Sequence, residues 1–292
     1  MRACRLLDLT LPSPVENLAL DDALLDELDE HAGEPVLRFW ESDRYFVVLG
    51  PSCRLIDDVH IAACEQDGIP VLRRTSGGGT VLQGPGCLSY AFVLPLTFHP
   101  DLANIRTTNR LILERIARSL HRWEPAVACR GISDLAIDGL KISGNAQRRK
   151  RHALLFHGTI LHAMNSDLIT RYLKQPVRQP DYRENRPHST FLRTIDVSPQ
   201  NLKQAIAQAW DVASPITVWP EVRMAACIQA VLKRTGDETR PGAYSNGLPG
   251  GAHTSNSIKG VAESLGMPSL PPSDPFDSPL SLLQAASGTG DG

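Results

Sequence analysis

No stretch of this 292-residue chain approaches the roughly 18–20 uncharged apolar residues needed to cross a bilayer, so no membrane span is expected. The opening Met1-Arg2-Ala3-Cys4-Arg5 runs into Leu6-Leu7-Asp8 instead of the apolar core of a secretory signal, and the expected compartment is cytoplasmic. An excess of charge of one sign is also missing. With 30 Lys+Arg against 32 Asp+Glu the formal net charge is −2, which removes the bulk electrostatics used to bind nucleic acid and leaves only local contacts with polyanions. The six cysteines (Cys4, Cys53, Cys64, Cys87, Cys129 and Cys227) never form a C-x-x-C pair. That spacing argues against a compact zinc site and a disulfide framework, so reduced thiols and no protein-held metal are expected. The chain also lacks G-x-x-x-x-G-K-[ST] and G-x-G-x-x-G, which excludes the P-loop and dinucleotide-binding templates. What it does have is core material: 42% of residues are apolar and only 21% charged, enough for one large or two ordinary domains.

The composition changes near Thr235. From Gly236 onward Gly, Pro and Ser make up almost half of the residues and apolar periodicity is lost. Residues 1–235 are therefore expected to fold and 236–292 to form a disordered tail, because ordering costs about 1–2 kcal/mol of backbone entropy per residue and such a stretch buries too little to offset it. Before the break, helix and strand signals alternate. Ser13-Pro14-Val15-Glu16 combines an N-cap serine, a proline at the first helical position and a Glu three residues after the cap, ahead of Leu20, Ala23, Leu24 and Leu28 at helical spacing. Val36–Trp40 and Tyr45–Leu49, joined by Ser42-Asp43-Arg44, read as a hairpin. A second hairpin is marked by Asp138-Gly139, a dipeptide suited to the positive φ angles of a type I′ turn. Between them lies a long amphipathic helix carrying Ile105, Asn109, Ile112, Leu113, Ile116 and Leu120. A strand over 153–162 and helices over 166–174, 198–212 and 221–234 follow. The expected fold class is α+β, a mixed and largely antiparallel sheet flanked by helices.

Two segments point to chemistry. Arg73-Arg74-Thr75-Ser76-Gly77-Gly78-Gly79-Thr80-Val81 places three glycines between strands, where they weaken β-structure unless a ligand must approach the backbone closely. The loop's amides suit an anion and the two arginines suit a phosphate; a tight turn with solvated arginines accounts for the same residues. In Leu140-Lys141-Ile142-Ser143, strand alternation puts Lys141 with Ser143 on the face opposite Leu140 and Ile142. A lysine on a rigid hairpin is a positioned point charge for an acyl carboxylate or a phosphate, or else an edge-strand lysine that discourages aggregation.

Taken together, residues 5–235 resemble the lipoate–protein ligases and the related octanoyl- and lipoyl-transferases, whose catalytic fold is shared with the biotin ligases. The resemblance rests on R-R-x-S-G-G-G-x-V at 73–81, D-L-x(3)-G-x-K-[IV]-S-G-x-A at 134–146, and Phe156-His157-Gly158-Thr159-Ile160-Leu161, with Asn17-Leu18-Ala19-Leu20-Asp21 similar to the family's opening. It implies that Arg74, Ser76, Gly77, Gly78, Gly79, Thr80, Val81 and Leu82 border the nucleotide and acyl site. Lys141 would contact the acyl carboxyl group and the α-phosphate, with Gly144, Ala146 and His157 forming neighbouring walls.

By the same resemblance the substrates are ATP with Mg²⁺ and lipoate or octanoate, and the acceptor is a lysine of a lipoyl carrier domain of the glycine-cleavage H-protein or 2-oxoacid dehydrogenase E2 type. Gln83 stands where ligases carry a histidine, and Gly84-Pro85-Gly86-Cys87 looks more like the octanoyltransferase branch. A C-terminal accessory domain of the ligase kind is not recognisable, which implies a separate accessory subunit or a different reaction. Transfer from a carrier thioester through Cys129, with Lys141 favouring its thiolate, is the alternative chemistry; a non-catalytic lipoyl-binding subunit is a third reading. On residue pattern alone, Cys129 also reads as a structural thiol, His157 as a core histidine, and Asp21-Asp22 as helix-surface or helix-start charge.

Overall fold

The computed structural model describes residues 4–212, 214–216 and 218–239. The elements in chain order are β1 (Arg5–Asp8), α1 (Pro14–Glu30), β2 (Val36–Trp40), β3 (Phe46–Leu49), α2 (Leu55–Asp58), α3 (Ile61–Gln66), β4 (Val71–Arg73), β5 (Val81–Gln83), β6 (Cys87–Pro95), α4 (Ile105–Leu120), β7 (Val127–Arg130), β8 (Asp134–Ile137), β9 (Leu140–Arg149), β10 (Ala153–Leu161), α5 (Ser166–Tyr172), α6 (His188–Phe191), α7 (Pro199–Ala209), β11 (Ser214–Pro215) and α8 (Glu221–Thr239). Helix α1 begins where the capping pattern places it. The Ser13 hydroxyl accepts from the Glu16 amide at 3.2 Å while the Glu16 carboxylate accepts from the Ser13 amide at 2.9 Å, so two otherwise orphaned donors are satisfied. The β8–β9 turn has Asp138 at φ 51° and Gly139 at φ 76°, the two positive values a type I′ turn demands.

The strands form an eight-stranded sheet of order β11-β1-β2-β6-β10-β9-β8-β7 and a three-stranded sheet β4-β3-β5. In the large sheet β1 pairs in parallel with β2 and β11, and the remaining pairs are antiparallel. The fold is thus α+β with a largely antiparallel sheet, as its sequence pattern implies. The hairpin expected over Val36–Leu49 does not form. β2 pairs with β1 and β6 in the large sheet, whereas β3 pairs with β4 and β5 in the small one. Both strands are buried throughout, and each takes its partners from elsewhere in the chain. The last described helix, α8, runs to Thr239, four residues past the boundary set at 235; the rest of the tail expected at 236–292 lies outside the described residues.

The two faces of the large sheet differ. Tyr90, Phe92, Leu154 and Phe156 pack with Ile112, Leu113 and Ile116 of α4 and Leu202 and Ile206 of α7, closed by Trp210. Each such buried side chain contributes about 1.5–3 kcal/mol. The opposite face is covered by α1, against which α8 packs; α8 also reaches β4. Directly paired residues point to the same side of a sheet, so Arg38, Ala91, His157 and Ala146 form one row across β2, β6, β10 and β9 on this second face.

Candidate active site

The glycine loop follows β4 and is braced from beneath by its own arginines. Arg74 is buried and donates to the carbonyls of Val48 at 3.2 Å, Gly77 at 2.8 Å and Gly79 at 2.7 Å. Burial pulls its pKa down to about 10, which still leaves it charged at neutral pH. Arg73 donates to the carbonyls of Gly50 and Cys53. Both guanidinium groups, expected to face a phosphate, thus turn loop carbonyls inward, and the charge for an anion has to come from elsewhere. The glycines are required locally: a Cβ at Gly50 would collide with the Gly78 carbonyl, and Gly78 sits at φ 93° with its Cβ direction 3.9 Å from the Ala146 side chain. The loop therefore rests on β9, and Gly77 and Gly79 face open space.

Ser76, at the foot of the loop, is buried with its hydroxyl 2.5 Å from His157 Nε2. On the other side of the ring, His157 Nδ1 lies 3.6 Å from Asp21 Oδ2. Asp21 Oδ1 is paired with Arg38 at 2.5 Å, and Arg38 also bonds the Asn17 side chain at 2.7 Å and its carbonyl at 2.8 Å. Burial alone would raise the Asp21 carboxyl, but the Arg38 charge and the His157 ring outweigh it and hold the pKa below the usual carboxylate range. Asp21 is therefore a buried carboxylate within the site and not surface charge. Its position follows from α1 lying against the sheet, and Arg38, a lone cation inside Val36-Leu37-Arg38-Phe39-Trp40, was the sequence signal for its partner.

The hairpin β8–β9 carries an irregularity that decides where Lys141 points. Leu135 pairs with Ser143 but Ala136 pairs with Lys141, so Ile142 is the extra residue of a bulge. Simple alternation would place Lys141 with Ser143. Instead Ser143 turns to the core side, where its hydroxyl accepts from Asn145, whose side chain in turn meets Tyr90. Gly144 and Ala146 are thereby brought onto the face of Lys141. Its Nζ pairs with Asp134 Oδ1 at 2.8 Å and folds over Gly144, where a Cβ would lie 3.0 Å from both Cε and Nζ. The other Asp134 oxygen accepts from the Tyr182 hydroxyl at 2.8 Å. Burial, followed by the Asp134 charge, pushes the Tyr182 phenol up, so it stays protonated as a donor.

These contacts bring Ser76, Gly78, Gly144, Ala146, His157 and Lys141 to one face of β9 and β10. Other expected site residues go elsewhere. Cys129 is exposed on the edge strand β7 opposite Leu135, a core-face residue, and the charges acting on it are Glu114 and Arg118 of α4. The expected activation by Lys141 is contradicted, because the bulge puts the lysine on the face opposite Cys129. Leu82 belongs to the apolar cluster of Val47, Leu55 and Tyr172. Thr80 donates to Asp58, and Val81 is half-buried on β5, paired with Val48. Cys87 is fully buried, with its thiol pushed up to about 12 by desolvation. Asp134, which opens the D-L-x(3)-G motif, thus positions the lysine together with Tyr182. Among the described residues no group of three or more His, Cys, Asp and Glu is placed to hold a metal ion.

A model of the lipoyl protein ligase A/B catalytic domain matches residues 13–217. The chain belongs to this family. Its similarity extends to two kinds of enzyme. Over 180 residues it is 30% identical to the octanoyltransferase LipM of an Exiguobacterium species, covering 54% of this chain and 65% of that protein. Over 161 residues it is 28% identical to the lipoate-protein ligase LplJ of Bacillus subtilis, covering 55% of this chain and 46% of that one. The chain thus spans about half to two thirds of the length of these relatives. The bipartite lipoate protein ligase of Thermoplasma acidophilum, solved in a study of that ligase and its E2 lipoyl domain, shares the fold at a TM-score of 0.68 and 22% identity, with 82% of this chain and 99% of that one aligned. The family is one of ligases and acyltransferases, so the chain is a member of an enzyme family. Among the described residues, no helix is long and apolar enough to cross a membrane.

Proposed function

We propose that the chain attaches a lipoyl or octanoyl group in amide linkage to a lysine of a lipoyl carrier domain, first activating the free acid with ATP as an acyl-adenylate. The observation that carries this reading is the shared face. The Lys141 ammonium folds over Gly144, and the glycine loop rests on Ala146, two residues further along the same strand, or about 7 Å away at the usual rise. An acyl carbonyl laid across that floor has a fixed cation on one side and glycine backbone with Ser76 on the other.

Activation brings two anions together, a carboxylate and an α-phosphate. Lys141 offsets their repulsion, and Asp134 with Tyr182 holds the ammonium in place beforehand, so little reorganisation accompanies reaction. Mg²⁺ commonly uses one or two carboxylates beside substrate phosphates. Asp134 is the carboxylate beside Lys141, and both of its oxygens are engaged. These residues do not form a cage for the ion, and it would arrive on the nucleotide. In the second half-reaction the carrier lysine attacks the acyl carbonyl and AMP leaves.

The relatives also support acyl transfer from a carrier thioester, a second reading that does not require ATP. Here the placement of Cys129 on the far face argues against that residue as nucleophile. Incubating the full chain with a lipoyl domain and free lipoate, with and without ATP, and weighing the domain by mass spectrometry tests the proposal. Lipoylation that depends on ATP is expected; modification only from a carrier-bound acyl donor, indifferent to ATP, would replace it with the transferase reading.

A further inference from the structure

We propose that Asp21, His157 and Ser76 form a proton relay that removes the proton from the carrier lysine's amine as it attacks the activated acyl group. This rests on the acyl-transfer reading above, in either its adenylate or its thioester form. The three groups come from α1, β10 and the foot of the glycine loop, and the histidine lies between the other two: Asp21 Oδ2 is 3.6 Å from Nδ1, and Nε2 is 2.5 Å from the Ser76 hydroxyl. Asp21 Oδ2 is buried and has no conventional hydrogen-bond partner, while Oδ1 is held by Arg38. The carboxylate is thus pinned on one side and free to face only the histidine on the other.

The hydrogen placement follows from this arrangement. The Asp21 carboxylate facing Nδ1 favours the tautomer that carries the ring hydrogen there, and in that tautomer Nε2 is an acceptor. Ser76 must then donate its hydrogen to Nε2, which leaves the lone pairs of its buried Oγ available as acceptors. A serine so placed cannot donate to a substrate carboxylate, but it accepts an N–H. When the amine nitrogen forms its bond to the acyl carbon, the acyl–oxygen bond to phosphate, or the acyl–sulfur bond, breaks and its electron pair leaves with the AMP or the thiolate. One amine proton passes to Ser76 Oγ as the serine's own passes to His157. The resulting imidazolium is stabilised by Asp21 and returns the proton to solvent or to the leaving thiolate.

The charged surroundings of the ring support such a cycle. Beyond Asp21 and Arg38, the row neighbours on β6 and β9 are Ala91 and Ala146, which carry no charge. Asp22, the next residue on α1, is engaged by Thr75 at 2.7 Å and Arg234 at 2.8 Å. Lys141 and Asp134 pair with each other on the same face of β8 and β9.

The test is the pH profile of acyl transfer from preformed lipoyl-adenylate, or an octanoyl carrier thioester, to a lipoyl domain by the full chain. This assay bypasses activation. The wild-type rate is expected to rise with pH and level off as one group loses its proton. His157→Gln should lower the plateau about 100-fold or more and abolish that rise, and added imidazole should restore activity to His157→Gly. Asp21→Asn should lower the plateau and move the rise, but it also leaves Arg38 buried without its partner. His157→Gln avoids that difficulty, and circular dichroism confirms its fold. A His157→Gln enzyme with an unchanged rate and profile overturns the relay, as does detection of an O-acyl adduct on Ser76, which would make the serine a nucleophile. A wild-type chain that transfers from neither donor overturns the underlying reading as well.

Discussion

The two faces of the large sheet are made from the same strands, yet one is an apolar core and the other a site. Along β10, Leu154 and Phe156 enter the cluster beneath α4 and α7, whereas His157 points to the opposite side, toward α1 and the glycine loop. The first face gains its stability from area removed from water. The second face carries the buried Arg38–Asp21 pair and His157 beneath α1, and the Lys141–Asp134 pair on β9 and β8. One strand can do both because its side chains alternate, and the rigidity of the apolar face is what holds the polar groups in position.

The sharpest way to break this comparison is to exchange the outcomes of neighbouring residues. Lys141→Ala is expected to reduce acyl transfer about 100–1,000-fold, the usual loss for one charge-stabilising donor, with no large change in melting temperature. Phe156→Ala should do the reverse. It should cost about 3–5 kcal/mol in a denaturant titration, since a large ring is removed from a fully packed cluster. If both variants lost stability equally, the division of labour between the faces would be wrong.

Breaking the buried pair sits between these extremes. Arg38→Met leaves Asp21 charged and uncompensated and should cost about 3–5 kcal/mol. The same pair sets an acid limit. The folded pKa of Asp21 lies below its unfolded value, so its stabilisation is fully present above the unfolded pKa of about 4 and is lost as pH falls through the folded one. Calorimetry of the wild type from pH 5 downward should therefore show a falling melting temperature. A flat profile would deny Asp21 that role.

Gly144→Ala sharpens the picture on a finer scale. Its methyl group would stand 3.0 Å from the end of a flexible lysine, so Lys141 has to move while the fold does not. A fall of about tenfold in transfer, the equivalent of about 1.4 kcal/mol, with unchanged stability is expected. The smallest effect belongs to Cys129→Ala, on the core side of β7. Transfer should be unaltered and stability should change by less than about 0.5 kcal/mol. Loss of transfer in this variant would return the cysteine to the reaction.

Much of this architecture was legible in the residues, and the exceptions have physical causes. The capping box at Ser13, the type I′ turn at Asp138-Gly139 and the amphipathic α4 are local patterns, and local patterns need no partner to be interpreted. The hairpin expected at 36–49 does not form because strand pairing is a non-local choice: β2 joins β1 and β6, and β3 joins β4 and β5. Asp21 is a buried carboxylate and not surface charge because α1 packs on β6 and β10, a contact its local sequence does not specify. Arg74 was assigned to a ligand because its charge was visible, whereas the loop carbonyls that consume it depend on the loop's conformation. The face of Lys141 was misassigned relative to Ser143 because a bulge leaves little trace in composition, and a single extra residue reverses every side chain after it.

The sequence by itself determined the fold class and the family, through glycines where backbone must come close and a lysine on a tight hairpin. Such features follow from covalent chemistry and short spacing. Tertiary structure alone decided which of those residues share a face. It placed Asp21 behind His157, turned Lys141 away from Cys129 and spent Arg74 on its own loop, because those outcomes depend on packing and register across strands distant in the chain.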